Sequence, residues 1–328
     1  MSTDVLDRNK IRVGILRGGP SNEYDVSLRT GDNVIKSLPE KYLATDILIS
    51  KEGEWHTGGF RREPVSVLSQ VDVIFNALHG KYGEDGKVQK LLETYGVPFT
   101  GSASLPSSLA ISKAASRKIL SGYSIKFPVH IVLTHKDNTF RRLSEVFRSF
   151  LLPSVIKPVS SGSSLGVSLA TDLQSFLKGV EVAFRHSPNV IVEEYLKGRE
   201  ATCGVLESEV KGGFYSLPPV EIIVPPGSLF SLELKYGGGA KEICPGRFDN
   251  EEKEQIQDLA IAVHRALGLR HYSHSDFIIV PRRGIYLLEV NALPGLTEAS
   301  LFPKALSAAS LSMGDFLDHT LGLALNNL

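Results

Sequence analysis

The chain has 328 residues, and its 36 Lys and Arg balance its 36 Asp and Glu to a formal net charge of zero at pH 7. At roughly 150 residues per domain this length makes about two domains, or three small ones, with a core that needs no disulfide or metal staple. Its 42% hydrophobic and 22% charged content excludes a disordered tail, a coiled coil and a collagen-like chain, and the lack of a basic excess argues against a nucleic-acid partner.

In chain order, MSTDVLDRNK is polar and holds no secretory h-region. No later apolar run approaches the ~18–20 residues that span a bilayer. The expectation is a cytoplasmic enzyme with no membrane partner. Ile11–Leu16 (IRVGIL) reads as a buried strand feeding the turn Gly18-Gly19-Pro20, with a helix from about Val26. Val71–Leu78 (VDVIFNAL) is a second strand, running into the glycine-studded His79–Gly86. VQKLLETYG is a helix ended by Gly96, and Val97–Thr100 (VPFT) is a short strand. This alternation predicts a small α/β domain with a parallel sheet.

From Pro106 to about Gly122 the spacing predicts one helix carrying Lys113, Arg117 and Lys118. Pro153–Lys157 (PSVIK) and Leu165–Ala170 (LGVSLA) read as strands flanking the Ser/Gly loop Val159–Ser164. A helix near Leu173–Arg185 and the strand NVIVEEYL complete a second, α+β module. Beyond it come strand-like ATCGVLE, the Pro-rich Leu217–Pro226, the Gly-rich Lys235–Ala240 and a helix over Glu251–Leu267. Strands Ser275–Val280 and Ile285–Val290 are joined by the hairpin loop Pro281–Gly284. SMGDFLDHTLGLALNNL is amphipathic and is expected to pack on the C-terminal domain. Cys203 and Cys244 form no disulfide framework and lack metal-ligand spacing.

Four constellations carry chemistry. On the last hairpin, Glu289 and Asn291 are two apart on one strand and share a face, and an antiparallel partner can bring Asp276 beside them. Three hard oxygen ligands suit Mg²⁺, whereas a merely solvated face would not set Glu and Asn inside the apolar LLEVNALPG. VSSGSSLGV offers backbone N–H and hydroxyl donors to a phosphate chain, with Lys157 as counter-charge, although a solvent loop reads alike. Neither a P-loop nor a G-x-G-x-x-G fingerprint is present. Glu193 and Glu194, with Glu200 following, can accept from an adenine amino group and ribose hydroxyls, or simply form a charged connector. Glu23 follows a glycine turn near backbone amides, and His79 sits in a similar turn, where a lone His is more often structural.

Taken in order, GGPSNEYDVSLRTG, ALHGKYGEDG with VPFTGS, KPVSSGSSLGV, VEEYLKGRE, LKYGGGAKEICP and LLEVNALPGLTEASLFPKA resemble the D-alanine–D-alanine ligase family of the ATP-grasp superfamily. The resemblance runs from Arg12 to about Leu323. It implies an α/β, three-domain ATP-grasp architecture with a Rossmann-like N-terminal domain, divided here as 1–102, 103–195 and 196–328. ATP would be held between the second and third domains, with two Mg²⁺ ions (or Mn²⁺) and K⁺ activation, in a homodimer built through the first domain. The implied reaction phosphorylates one D-alanine carboxylate and lets the amine of a second D-alanine attack the acyl phosphate.

By motif, the resemblance makes Lys113 and Lys157 the nucleotide-phosphate and adenine-side lysines. Ser164 belongs to the phosphate loop, Glu193, Glu194, Tyr195 and Leu196 to the adenine hinge, and Glu200 to the ribose. Lys235 is implied to contact phosphate from a mobile loop, and Asp276, Glu289 and Asn291 to hold Mg²⁺. Glu23 would orient the first D-alanine beside His79, and Ser163 and Tyr236 would join Glu23 in a triad closing that loop. Gly295 would offer its N–H to the developing oxyanion, and Ser300 and Leu301 would hold the second D-alanine. Tyr236 is implied to go with an amine acceptor rather than a hydroxy acid.

Two positions depart from the pattern. His274 stands where the family has an arginine contacting the transferring phosphate, and Ser161 replaces a common acidic residue. Loss of one such donor typically costs ~10²–10³ in kcat. The alternatives to D-alanyl-D-alanine formation are therefore a D-lactate- or D-serine-type acceptor, or a catalytically impaired ATP-binding paralogue.

Overall fold

The computed structural model describes residues 10–162, 164–210, 212–225 and 239–326. Two compact units divide the chain, one made of residues up to Ser104 together with those from Gly295 onward, the other of Leu105–Pro294.

The first unit opens with β1 (Ile11–Gly18), α1 (Tyr24–Ser37) and β2 (Tyr42–Ile49), a βαβ unit whose strands pair in parallel from Ile11↔Tyr42 to Gly18↔Ile49. Gly18 ends β1 at φ +89°, where a Cβ would lie 2.3 Å from the Ile49 carbonyl oxygen; only glycine lets β1 turn so close to its neighbour. The helix buries Val26, Thr30 and Val34, four residues apart, which sets its apolar stripe on the sheet. Short β3 (Trp55–Thr57) and β4 (Phe60–Arg62) extend one edge antiparallel, and β5 (Val73–Asn76) joins β1 in parallel after a short α2 (Pro64–Leu68), giving the order β4-β3-β2-β1-β5. Leu16, Ile47, Ile49, Trp55 and Ile74 fill the core beneath α3 (Lys87–Thr94), which adds Val88 and Leu92. The expected VPFT strand is reduced to one parallel bridge, Ile74↔Phe99, because its backbone leaves the sheet edge after a single rung.

In the second unit, the helix predicted from Pro106 to Gly122 is two, α4 (Ser104–Ile111) and α5 (Lys113–Leu120). Ser112 breaks it: its backbone is extended, it bridges Ser160, and its side chain accepts from the Ala115 N–H to cap α5. Then β6 (His130–Thr134), α6 (Phe140–Ser149), β7 (Ser154–Pro158), β8 (Ser168–Ala170), α7 (Leu173–His186) and β9 (Asn189–Glu194) build an antiparallel sheet of order β6-β9-β7-β8. Strand β8 is shorter than the apolar run suggests, since Leu165 and Val167 donate back to Gly162 and Ser164 in a tight turn.

A larger antiparallel sheet follows: β10 (Arg199–Glu207), β11 (Phe214–Ser216), β12 (Val220–Ile223), β13 (Lys241–Ile243), then α8 (Asn250–Ala266), β14 (Tyr272–Val280) and β15 (Gly284–Asn291). Its order is β13-β12-β10-β14-β15, with β11 paired to β10. Asp249 and Glu252 form a capping box at the start of α8, whose Ile256, Ala260 and Val263 pack into the core with Phe277 and Leu287.

The chain then returns to the first unit with α9 (Leu301–Ala308) and α10 (Met313–Asn326). The C-terminal helix was expected on the third domain; it packs instead on α1 and β5, and Asp318 accepts from the Tyr42 hydroxyl at 2.6 Å. Residues from Gly295 onward group with the N-terminal unit. Among the described residues no helix is long and apolar enough to cross a membrane.

His264 on α8 is buried, 2.7 Å from the Ser273 hydroxyl and edge-on to Phe214. Burial pushes its imidazole down from 6.5 to about 4. The folded state therefore resists a proton that the unfolded chain accepts, and stability is full above pH 6.5 and falls between 6.5 and 4. Urea unfolding at pH 7.5 and pH 5 should show the parent chain losing about 2 kcal/mol more than His264→Gln across that interval. Equal losses would remove His264 as the cause.

Candidate functional site

Within the Leu105–Pro294 unit, an open cleft with about 1130 Å³ of empty space, part of it continuous with solvent, lies where both sheets present charged side chains among apolar ones. Val155, Leu196, Ile222, Ile278 and Leu288 give it greasy walls suited to a flat heteroaromatic ring. Its polar lining includes Lys113, Lys157, Glu193, Glu200, Asp276 and Glu289, with Ser161 and Ser164 from the Ser/Gly loop and Tyr195 from the connector after β9.

The last hairpin supplies the acidic pair. Asp276 on β14 is directly opposite Glu289 on β15, and His274 is opposite Asn291. Opposed residues share a face and so do residues two apart, so all four side chains emerge together. A bulge between Asp276 and Phe277 leaves Leu288 as the extra residue of β15. Asn291 Nδ2 lies 2.7 Å from His274 Nε2, and the same ring nitrogen is 3.7 Å from Asp276 Oδ1. That Asp276 oxygen is buried and has no hydrogen-bond partner among the described residues.

The cations are placed by the helix break. Lys113, first residue of α5, donates its backbone N–H to the Val159 carbonyl, and its ammonium donates to the Ser161 carbonyl at 3.1 Å and to Glu289 Oε2 at 2.9 Å. Lys157, on β7, reaches Glu193 Oε2 at 2.8 Å. The other oxygen of Glu193 accepts from Arg117, one turn beyond Lys113 on α5, at 2.6 Å. Burial alone would raise this carboxyl; Lys157 and Arg117 overcome it and hold Glu193 down at about 2. Glu194 accepts from the Val129 N–H at 3.0 Å and from both terminal nitrogens of Arg283 at 3.1 Å. Neither carboxylate is therefore the open acceptor suggested by VEEYL: protein cations and an amide already hold their oxygens.

Glu23, His79, Gly295, Ser300 and Leu301 belong to the other unit. Glu23, just before α1, is 7% exposed and sits against the Gly80 turn, where a Cβ at φ +67° would fall 2.5 Å from Glu23 Oε2 and 2.6 Å from Ser21 Oγ. His79 is buried, with Nε2 2.8 Å from the Thr30 hydroxyl and Nδ1 3.7 Å from Glu84 Oε1, which accepts from the Gly80 N–H at 2.7 Å. The segment after Gly295 is tied to α1 by Asn33, whose amide donates to the Leu296 carbonyl at 2.7 Å. Ser300 Oγ lies 2.7 Å from the Thr297 hydroxyl, and a Cβ on Gly295 would meet it at 3.0 Å, so Gly295 and Ser300 are neighbours; Leu301 begins α9 beside them. Ser163, Lys235 and Tyr236 fall outside the described residues.

Sequence reasoning missed Arg117, Glu84 and Arg283. The i, i+4 spacing of Lys113 and Arg117 was a readable sign that both project from one face of α5; nothing local marked the other two.

A sequence model described as D-ala D-ala ligase C-terminus matches residues 119–321, and one described as D-ala D-ala ligase N-terminus matches 12–66 and 59–102. The D-alanine–D-alanine ligase of Pelotomaculum thermopropionicum is 34% identical over 323 residues, covering 97% of this chain and 98% of the relative. Among solved structures, a D-alanine–D-alanine ligase from Bacillus anthracis complexed with ATP is 31% identical with a TM-score of 0.79, covering 97% of this chain and 98% of that one. The VanG D-Ala:D-Ser ligase from Enterococcus faecalis is 28% identical with a TM-score of 0.83, covering 96% and 99%. The mixed α/β arrangement is the ATP-grasp fold of these enzymes.

The Gly80–Glu23 contact sets a test of how the first unit holds its acidic residue. Gly80→Ala should cost at least about 1 kcal/mol in urea unfolding, from the left-handed backbone and the displaced carboxylate. Parent-like stability would show that Glu23 moves aside freely.

Proposed function

The chain belongs to the D-alanine–D-alanine ligase family, and from that premise we propose that it is an ATP-dependent ligase joining two D-alanines for peptidoglycan precursor synthesis. The supporting observation is the cross-strand Asp276–Glu289 pair facing a cleft that also presents Lys113 and Lys157. A carboxylate resists attack by an amine until one of its oxygens becomes a good leaving group. The γ-phosphoryl group of ATP passes to the carboxylate of the first D-alanine, giving D-alanyl phosphate and ADP. The deprotonated amine of the second attacks the acyl carbon, and inorganic phosphate departs with the C–O bonding pair. Most of the protein's task is positioning and charge neutralisation.

In this reading Lys113 and Lys157 take the nucleotide, Ser164 and Ser163 belong to the loop over its phosphates, and Tyr195, Leu196 and Glu200 flank base and ribose. Glu193 and Glu194 act by fixing cations around the base site. Lys235 and Tyr236 are assigned to phosphate and to the acceptor side. Glu23 orients the first ammonium with support from the His79 turn, Gly295 donates its N–H to the oxyanion, and Ser300 and Leu301 hold the second D-alanine.

Asp276, Glu289 and Asn291 fit a divalent cation: the buried Asp276 Oδ1 lacks a hydrogen-bond partner among the described residues, a cost that a cation would remove. Two carboxylates and an amide are hard oxygen donors of the kind Mg²⁺ takes, an ion that keeps positions for water and phosphate. Bound there, Mg²⁺ (two ions, replaceable by Mn²⁺) would supply neutralisation of phosphate charge. K⁺ activation, a homodimer and a cytoplasmic location belong to the same proposal and rest on the family resemblance.

Purified chain with ATP, Mg²⁺, K⁺ and D-alanine should release phosphate in step with D-alanyl-D-alanine; no dipeptide at high substrate would sink the proposal. With D-serine or D-lactate in competition, D-alanine should dominate the product, and a reversed preference would reassign the acceptor.

His274 sits on the face of the acidic pair but is held by Asn291 and has a shorter reach than arginine. His274→Arg should raise kcat by at least about tenfold with the ATP KM within about twofold. An unchanged kcat would mean that histidine already supplies the missing donor.

A further inference from the structure

Arg117 is buried at 4% side-chain exposure, is not one of the residues lining the cleft, and meets the cleft through the lining residues Glu193 and Leu288. One of its terminal nitrogens donates to Glu193 Oε1 at 2.6 Å and to the Leu288 carbonyl, on the β15 bulge, at 3.2 Å. Its guanidinium lies 5.7 Å from the Phe127 ring, and its other terminal nitrogen has no hydrogen-bond partner among the described residues.

As a stabilising device this is a poor arrangement. Burying an arginine costs several kcal/mol, and leaving a donor unmet adds to that, so apolar side chains in place of both Arg117 and Glu193 would serve the fold at least as well. What Arg117 changes is the charge balance at Glu193. Without it, Glu193 and Lys157 form a one-to-one pair, and the cleft receives no net charge from them. With it, two cations share one anion, and the surplus positive charge sits on the side of Glu193 that faces the cleft, at Lys157.

We propose that Arg117 is a positioning residue for nucleotide binding, neutralising Glu193 from behind so that the charge of Lys157 remains available to an anionic ligand in the cleft. This rests on the nucleotide-binding reading above. Arg117 touches no reacting atom, so its loss acts on affinity and leaves the chemical step alone.

The test is calorimetric titration of the full-length chain with ADP and Mg²⁺, which needs no turnover, with circular-dichroism melting to verify folding. Arg117→Gln keeps a hydrogen-bond donor but loses the charge, and should weaken ADP binding at least about tenfold. Arg117→Lys keeps the charge and should stay within about threefold of the parent. In steady-state assays Arg117→Gln should raise the ATP KM while kcat at saturating ATP stays within about threefold. A cycle with Glu193→Gln isolates the mechanism: once Glu193 is neutral, Arg117→Gln should cost less than about twofold. If Arg117→Gln does not fold, Arg117→Met carries the same comparisons. A full penalty in the Glu193→Gln background, or parent-like ADP affinity of Arg117→Gln, overturns the inference and leaves the functional reading standing. A parent chain that binds no ADP overturns that reading, and the inference falls with it.

Discussion

Arg117 and Lys157 meet on opposite oxygens of Glu193, at 2.6 and 2.8 Å, where 1% of the carboxylate side chain is exposed. A carboxylate taken so far from water is tolerable only when its charge is met at both oxygens. The requirement fixes more than one side chain. It anchors α5 to β9 through Arg117, and it ties the same helix to the β15 bulge through the Leu288 carbonyl. The helix that presents Lys113 is thus braced against both sheets of its unit.

The second lysine is held differently. Lys113 meets Glu289, a residue that also faces its cross-strand partner Asp276. Both members of this pair line the cleft. This pair by itself adds no net charge to the cleft. On the proposed function, phosphate and its metal ion would each claim one of these two charges. The Lys157–Glu193 pair is backed by Arg117, a residue that does not itself line the cleft.

What could be read from the sequence follows from the length scale of each interaction. Alternation along a strand is a local rule, so the shared face of Glu289 and Asn291, with Asp276 alongside, followed from spacing alone, and the observed register agrees. The break at Ser112 was hidden because the apolar residues of 106–122 keep a helix-like spacing on both sides of it. It exists because Ser112 bridges Ser160, nearly fifty positions away. Glu193 and Glu194 were legible as a charged pair, but the cations that hold them were not, since Arg117 and Arg283 reach them only in three dimensions. The home of α10 was illegible for the same reason: an amphipathic helix advertises an apolar stripe but not the surface that will cover it.

The return of the last thirty-odd residues to the N-terminal unit makes the larger unit an insertion within the smaller. On a ribosome, the segment Leu105–Pro294 has all its own strands in hand before the surrounding unit has its final two helices. The inserted unit can close first, while the face of α1 and β5 that receives α10 waits uncovered through most of synthesis. A chain truncated shortly after Pro294 would thus carry a finished cleft attached to an unfinished, sticky N-terminal half, a species suited to capture by chaperones or proteases.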